Sequence, residues 1–176
     1  WPRMSPTERI AALRPFVEKY GTVSGELAEL VTAEMGTPQW FSDSAHGTGP
    51  FFLMQQTLVF AEAYAWTERR GNDVVVREPV GVVGAITPWN VPQVTIASKL
   101  LPALLAGCVV IVKPAPETPL DAMLLATLLA EADLPPGVVA VLPGGAEAGR
   151  RLAEHPDVDK VAFTGSAETG RSTGRA

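Results

Sequence analysis

The amino-acid sequence predicts an α/β fold, a parallel sheet with helices on its faces preceded by a helical segment. Three observations carry this expectation. Residues 1–71 place apolar side chains at helical spacing. From Val80 onward, short apolar runs alternate with longer helical patterns, the rhythm of β-α-β units. The run Cys108 to Val112 is apolar throughout, as in a strand covered on both faces.

Ser5-Pro6-Thr7-Glu8 is a capping box with proline at the first helical position. Ile10, Leu13, Phe16 and Val17 then share one face. Ser24 is expected to cap a second helix that carries Leu27, Leu30 and Val31 and stops at Gly36. Gly47-Thr48-Gly49-Pro50 reads as a breaker, and a third helix is expected from Phe51 to Arg70, ended by Gly71. Val74 to Arg77 and Val80 to Ile86 read as strands. A helix from Val91 to Ala106, with Pro102 as a kink and Gly107 as its stop, leads to the strand Cys108 to Val112. Leu120 to Ala132 and Ala146 to Glu154 read as helices, Val138 to Leu142 and Val161 to Thr164 as strands, and Ser166 opens a last helix. Two parts are expected: a helical segment over 1–71, and a partial dinucleotide-binding unit over 72–176. Because the first helix starts almost at once and the last is barely entered, a longer protein shortened at both ends is expected.

Composition narrows the function classes. A formal net charge of −5 over 176 residues argues against nucleic acid, whose phosphates need clustered Lys and Arg. Glu68-Arg69-Arg70 is the densest basic spot and reads as a solvated helix end. The single cysteine, Cys108, excludes an internal disulfide and suggests a reduced, cytoplasmic setting. Flanked by Gly107 and Val109, it reads as a buried structural thiol. His46 and His155 stand far apart without ligand spacing, so no metal site is expected. The apolar run Leu100 to Val112 is broken by Pro102 and Gly107 and falls short of the roughly 20 residues of a membrane helix. Trp1-Pro2-Arg3-Met4 does not resemble a signal peptide.

The chemistry-bearing motifs follow predicted strands, where open parallel sheets bind their ligands. After Ile86 comes Thr87-Pro88-Trp89-Asn90-Val91-Pro92. The two prolines stiffen the turn, and an amide held there can donate to a developing oxyanion; capping of the next helix is the alternative role for Asn90. After Val112 comes Lys113-Pro114-Ala115-Pro116-Glu117. Lys113 can meet a ribose hydroxyl or a phosphate, or simply be solvated in a proline-rich loop. After Thr164 come Gly165 and Ser166, which open a helix whose first N–H groups suit an anion. The spacing from Gly165 to Gly170 is not the dinucleotide fingerprint Gly-x-Gly-x-x-Gly.

Glu78-Pro79-Val80-Gly81-Val82-Val83-Gly84-Ala85-Ile86-Thr87-Pro88-Trp89-Asn90 resembles a signature of the aldehyde dehydrogenase superfamily. Lys113 to Leu120 and Asp157 to Ser166 resemble two more, in family order and at family-like distances. The resemblance implies a Rossmann-like cofactor domain and, for the complete protein, a catalytic domain and an arm that makes a homo-oligomer. It implies oxidation of a small-molecule aldehyde to a carboxylic acid with NAD, or alternatively NADP. By position, Asn90 resembles the oxyanion-hole amide and Lys113 the lysine on the adenosine ribose. Ser166 with Gly165 resembles the pyrophosphate contact, and Ile86, Thr87, Pro88 and Trp89 the lining on the nicotinamide side. Lys99 matches a lysine placed in a proton relay, with an exposed helix lysine as an equal reading. The family's nucleophilic cysteine and general-base glutamate find no counterpart in these residues, so the chain alone is expected to be inactive. The family often has an acid at the position of Pro116; Glu117 follows it, and an acid beside the ribose 2′-hydroxyl would favour NAD over NADP. The rival readings are a non-catalytic nucleotide-binding or interaction module and, within the superfamily, an acyl-phosphate reductase.

Overall fold

The computed structural model describes residues 1–175. Helix α1 (Pro6–Thr22) starts as its sequence dictates: the Glu8 amide donates to Ser5 Oγ at 3.3 Å, and the Ser5 amide donates to Glu8 Oε2 at 2.6 Å. These bonds occupy two of the amides that a helix start leaves without partners. Helix α2 (Ser24–Met35) ends at Gly36, which takes the left-handed conformation at φ 72°. Its cap is Val23 rather than Ser24; the Ser24 hydroxyl turns back to donate to the Gly21 carbonyl at 3.0 Å.

Two further expectations are corrected. Residues 47–50 do not break the helical layer. Helix α3 (Gln39–Ser42) runs through a π-helical turn (Asp43–Thr48) into α4 (Gly49–Ala63), with Pro50 within its first turn, where a missing N–H does no harm. His46 in that turn is wholly buried, with neither ring nitrogen hydrogen-bonded, and burial lowers its pKa. The expected helix to Arg70 stops at Ala63. Thr67–Arg70 is strand β1, paired antiparallel with β2 (Asp73–Val76) across a tight turn in which Gly71 takes φ 63°. Glu68-Arg69-Arg70 is therefore a strand and not a helix end. Glu68 is salt-bridged to Arg70 and Arg77 on the hairpin. Trp66 terminates the helix by donating its indole N–H to the Ala61 carbonyl at 3.0 Å. The hairpin straddles residue 71, the expected boundary between the two parts.

The remaining elements are β3 (Val82–Ile86), α5 (Pro92–Leu105), β4 (Val109–Lys113), α6 (Leu120–Glu131), β5 (Val139–Val141), α7 (Ala146–Glu154), β6 (Lys160–Phe163) and α8 (Ala167–Thr173). The four strands form one parallel sheet in the order β5-β4-β3-β6, with Ile86 opposite both Lys113 and Phe163. The chain moves outward from β3 to β4 and β5, then returns to place β6 on the other side of β3. That reversal opens a crevice at the carboxyl ends of β3 and β6.

Strand side chains alternate between faces. Val83, Ala85, Val110 and Val112 enter the core with Leu13, Phe16 and Tyr20 of α1, Met54 and Leu58 of α4, and Leu100, Leu101 and Leu104 of α5. One core thus spans both expected parts. On the other face, Leu152 of α7 would lie 3.1 Å from a methyl at Gly84, so the missing side chain admits the helix. Gly107 closes α5 at φ 93°, and a side chain there would strike the Arg9 guanidinium at 2.9 Å.

Candidate active site

At the carboxyl end of the sheet, Ile86, Lys113 and Phe163 floor a cleft of about 380 Å³. Gly149, Arg150 and Ala153 of α7 and Glu168, Thr169 and Ser172 of α8 wall it. Three adjacent strands end together because their registers align Ile86 with Lys113 and with Phe163.

Lys113 is not a solvated loop residue. It is the last residue of β4 and is 4% exposed. Its ammonium donates to the Pro114 carbonyl at 2.9 Å, and its stem lies against Gly149. Burial pushes its pKa down, opposed by the charge of Glu117. Glu117 itself is exposed and does not line the cleft. On the cleft's outer wall, Arg150 donates to Glu147 at 2.8 and 3.0 Å and to Glu154 at 2.5 Å. These bonds raise the arginine pKa, and bonds from Arg150 and Arg151 lower that of Glu147.

The loop after β3 has a graded burial. Thr87 is buried with its hydroxyl unpartnered, Pro88 is half-buried, and Trp89 and Asn90 are exposed. The Thr87 amide donates to the Lys113 carbonyl at 3.2 Å, which joins this loop to the next strand. Asn90 is not the cap of α5: the cap is Val91, without a side-chain bond. Its amide is therefore left for another partner. Lys99 is half-buried on α5 and donates to Thr164 Oγ1 at 2.7 Å, so the reading as an exposed helix lysine is corrected. Burial lowers its pKa. Thr164 lies in the loop after β6, so Lys99 ties α5 to the third motif.

In that loop a side chain at Gly165 would meet the Phe163 ring at 2.5 Å, so only glycine lets the backbone pass the ring. Ser166 caps α8, its Oγ accepting from the Thr169 amide at 3.1 Å. Of the residues expected at the site, Ile86 and Lys113 meet in the cleft itself. Thr87, Pro88, Trp89, Asn90, Glu117, Gly165 and Ser166 occupy the loops that leave the same strands, and Lys99 joins two of those elements. Sequence reasoning passed over Phe163, Gly149 and Thr169. The strand-end rule could have found Phe163; nothing local marks Gly149, which reaches the cleft only because α7 lies over the sheet.

The family model described as "Aldehyde dehydrogenase family" matches residues 1–176. The chain is 43% identical over 178 residues to an aminoacetaldehyde dehydrogenase of Pseudomonas aeruginosa, covering 97% of the chain and 36% of the relative. It is 40% identical over 176 residues to a geranial dehydrogenase of Castellaniella defragrans, covering 97% and 37%. Among solved structures, an aldehyde dehydrogenase of Mycobacterium tuberculosis complexed with NAD+ matches with a TM-score of 0.94 at 43% identity, over 99% of this chain and 37% of that one. An aldehyde dehydrogenase of Bartonella henselae matches with a TM-score of 0.95 at 34% identity, covering 99% and 38%. The chain thus spans little more than a third of the proteins it matches, and over that span it belongs to the aldehyde dehydrogenase family.

Proposed function

We propose that the chain supplies the cofactor cleft and one oxyanion-binding amide of an NAD(P)-dependent enzyme that oxidises an aldehyde to a carboxylic acid. The observation that carries this reading is the meeting of Ile86, Lys113 and Phe163 at one cleft beneath α7 and α8. The chemistry of Lys113 fits a dinucleotide. An ammonium has three N–H donors, one goes to the Pro114 carbonyl, and the others would be left for ribose hydroxyls. Ser166 with Gly165 would hold the pyrophosphate, and Ile86, Thr87, Pro88 and Trp89 would flank the nicotinamide. A nicotinamide held there would supply the hydride acceptor for oxidation at the aldehyde carbon. Asn90 donates its side-chain N–H to the oxygen on which negative charge builds. Lys99, with its ammonium on Thr164, holds a proton between α5 and the loop after β6.

The nucleophile and the general base come from outside these 176 residues. Cys108 is 3% exposed in an apolar setting, which suits a structural thiol. The chain alone is therefore inactive. Residues 1–71 act as the buttress and 72–176 as the cofactor-binding part, in a cytoplasmic homo-oligomer. Among the described residues, no helix is long and apolar enough to cross a membrane.

Likeness to the Mycobacterium tuberculosis protein complexed with NAD+ supports NAD over NADP, and Glu117, close enough to Lys113 to act on its charge, would favour the unphosphorylated ribose. The test is aldehyde-dependent NADH formation by the complete protein. Asn90→Ala should lower kcat by about 10²–10³-fold while cofactor affinity holds. Glu117→Gln should relax the cofactor preference by about 1–2 kcal/mol. Turnover by the 176-residue chain alone, or a complete protein that binds the dinucleotide without oxidising any aldehyde, would refute the reading.

A further inference from the structure

Gln93 is the second residue of α5 and is 1% exposed. Its side-chain oxygen accepts from the Tyr20 hydroxyl of α1 at 2.9 Å, and its side-chain nitrogen donates to Asp121 Oδ2 of α6 at 2.8 Å. Asp121 is fully buried, and its other oxygen accepts from the Ala122 amide at 2.8 Å. Tyr20 is 1% exposed. The chain Tyr20–Gln93–Asp121 therefore crosses three helices inside the core, with each side-chain bond used in a single sense.

Nothing in helix capping requires it. The first turn of α5 has no side-chain cap, and the turn that precedes it exposes Trp89 and Asn90. The bonds of Gln93 are the polar tie between that first turn and the neighbouring helices. An apolar residue could fill the space, but it would not choose a height or rotation for the helix, because apolar packing is non-directional. Two directional hydrogen bonds, one to α1 and one to α6, do choose one.

We propose that Gln93 is a positioning residue: held between Tyr20 and Asp121, it fixes the start of α5 and so sets where Asn90 stands at the carboxyl end of β3. The inference rests on the proposed role of Asn90 for its effect on turnover, but not for its effect on the turn. Small misplacements of a catalytic group cost rate far more than they cost binding.

The test uses the complete protein with 5-fluorotryptophan, the Trp89 fluorine resonance being assigned by Trp89→Phe. In Gln93→Leu and in Tyr20→Phe the Trp89 line should shift or split. The value of kcat should fall by roughly tenfold or more in Gln93→Leu, with the dissociation constant for NAD+ within about twofold of wild type. In Asp121→Asn the Gln93 amide can turn over, accepting from the new amide and donating to the Tyr20 oxygen. That variant should keep a single Trp89 line and most of the turnover. If Gln93→Leu fails to fold, Tyr20→Phe, which loses only a hydroxyl, still decides. An unchanged Trp89 line in Gln93→Leu or in Tyr20→Phe overturns the inference, as does an Asp121→Asn protein that behaves like Gln93→Leu. If the wild type oxidises no aldehyde, the proposed activity falls, while the Trp89 line still tests the tie.

Discussion

Helix α5 is held by polar side chains at both ends, and the two ends differ in kind. At the carboxyl end, Arg9 donates from Nε to the Leu105 carbonyl at 2.8 Å, and the Trp1 indole donates to the Leu104 carbonyl at 3.0 Å. The Arg9 bond answers a need that every buried helix end has, because its last carbonyls lack intrahelical partners; the Leu104 carbonyl also accepts from the Gly107 amide at 2.9 Å. At the amino end, Gln93 engages Tyr20 and Asp121 through side chains alone, and no helix amide or carbonyl of α5 is satisfied by it. The carboxyl end thus shows satisfaction of the backbone, where loss should appear as lost stability. The amino end shows selection of a position, where loss should appear first in the geometry of the exposed turn.

The largest break in this contrast should come from Arg9→Ala. Arg9 is 4% exposed, donates also to the Met4 carbonyl at 2.5 Å, and lies over the Trp66 ring at 5.8 Å. Removing it strands two carbonyls and deletes a buried stem, so urea unfolding should show a loss of about 3–5 kcal/mol.

Asp121 should give the next effect, in its pH dependence. Burial, reinforced by the charge of Glu34, pushes its pKa from 3.8 to about 6 against the bonds from Gln93 and Ala122 that favour the charge. The raised value means that the folded protein binds this proton more tightly than the unfolded chain. Stability through this group is therefore lowest above pH 6. It rises as pH falls from about 6 toward about 4, by at most about 3 kcal/mol. Gln93 from α5 bonds the carboxyl, and Tyr20 from α1 and Glu34 from the end of α2 are close enough to interact with its charge. Tyr20 is held protonated by burial and by the Asp121 charge. Asp121→Asn should flatten this rise in thermal unfolding measured across the same range. A rise that survives the substitution would assign it to another group.

Tyr20→Phe should be milder, about 1 kcal/mol, since a single neutral hydrogen bond is removed from a ring that still packs. Its mark should be a change at Trp89 out of proportion to that loss. Trp1→Phe should be smallest, about 0.5–1 kcal/mol from one partly buried bond at the carboxyl end, with Trp89 unmoved. If Tyr20→Phe and Trp1→Phe disturb Trp89 alike, the two ends of α5 do not differ as described.

Much of the fold was legible because it rests on local rules. The Ser5 capping box, the stop at Gly36 and the four apolar strands from Val82 onward lie where pattern places them. Strand β1, and with it the pairing to the expected strand at Val74, was missed because Phe51 to Arg70 carries a helical pattern with a glycine just beyond it. What ends α4 early is the Trp66 indole on the Ala61 carbonyl and the pairing of Thr67–Arg70 with Asp73–Val76. Pairing between strands is a choice that propensity in one window cannot see.

Three motifs, whose residue types and spacing survive without coordinates, were enough to identify the family. The sequence also determined that each motif follows a strand, because apolar strands and their polar ends alternate along the chain. The packed fold sets which strands are neighbours, and hence that Ile86, Lys113 and Phe163 share a cleft while Glu117 stays outside it. It alone converted Lys113 from a loop cation into a buried one and Asn90 from a candidate cap into a free amide. It alone brought Tyr20, Gln93 and Asp121 together from three helices. The physical reason is range: caps and periodicity act within a turn or two of chain, whereas burial, pKa and side-chain hydrogen bonds depend on residues 28 and 73 positions apart that only the packed core brings into contact.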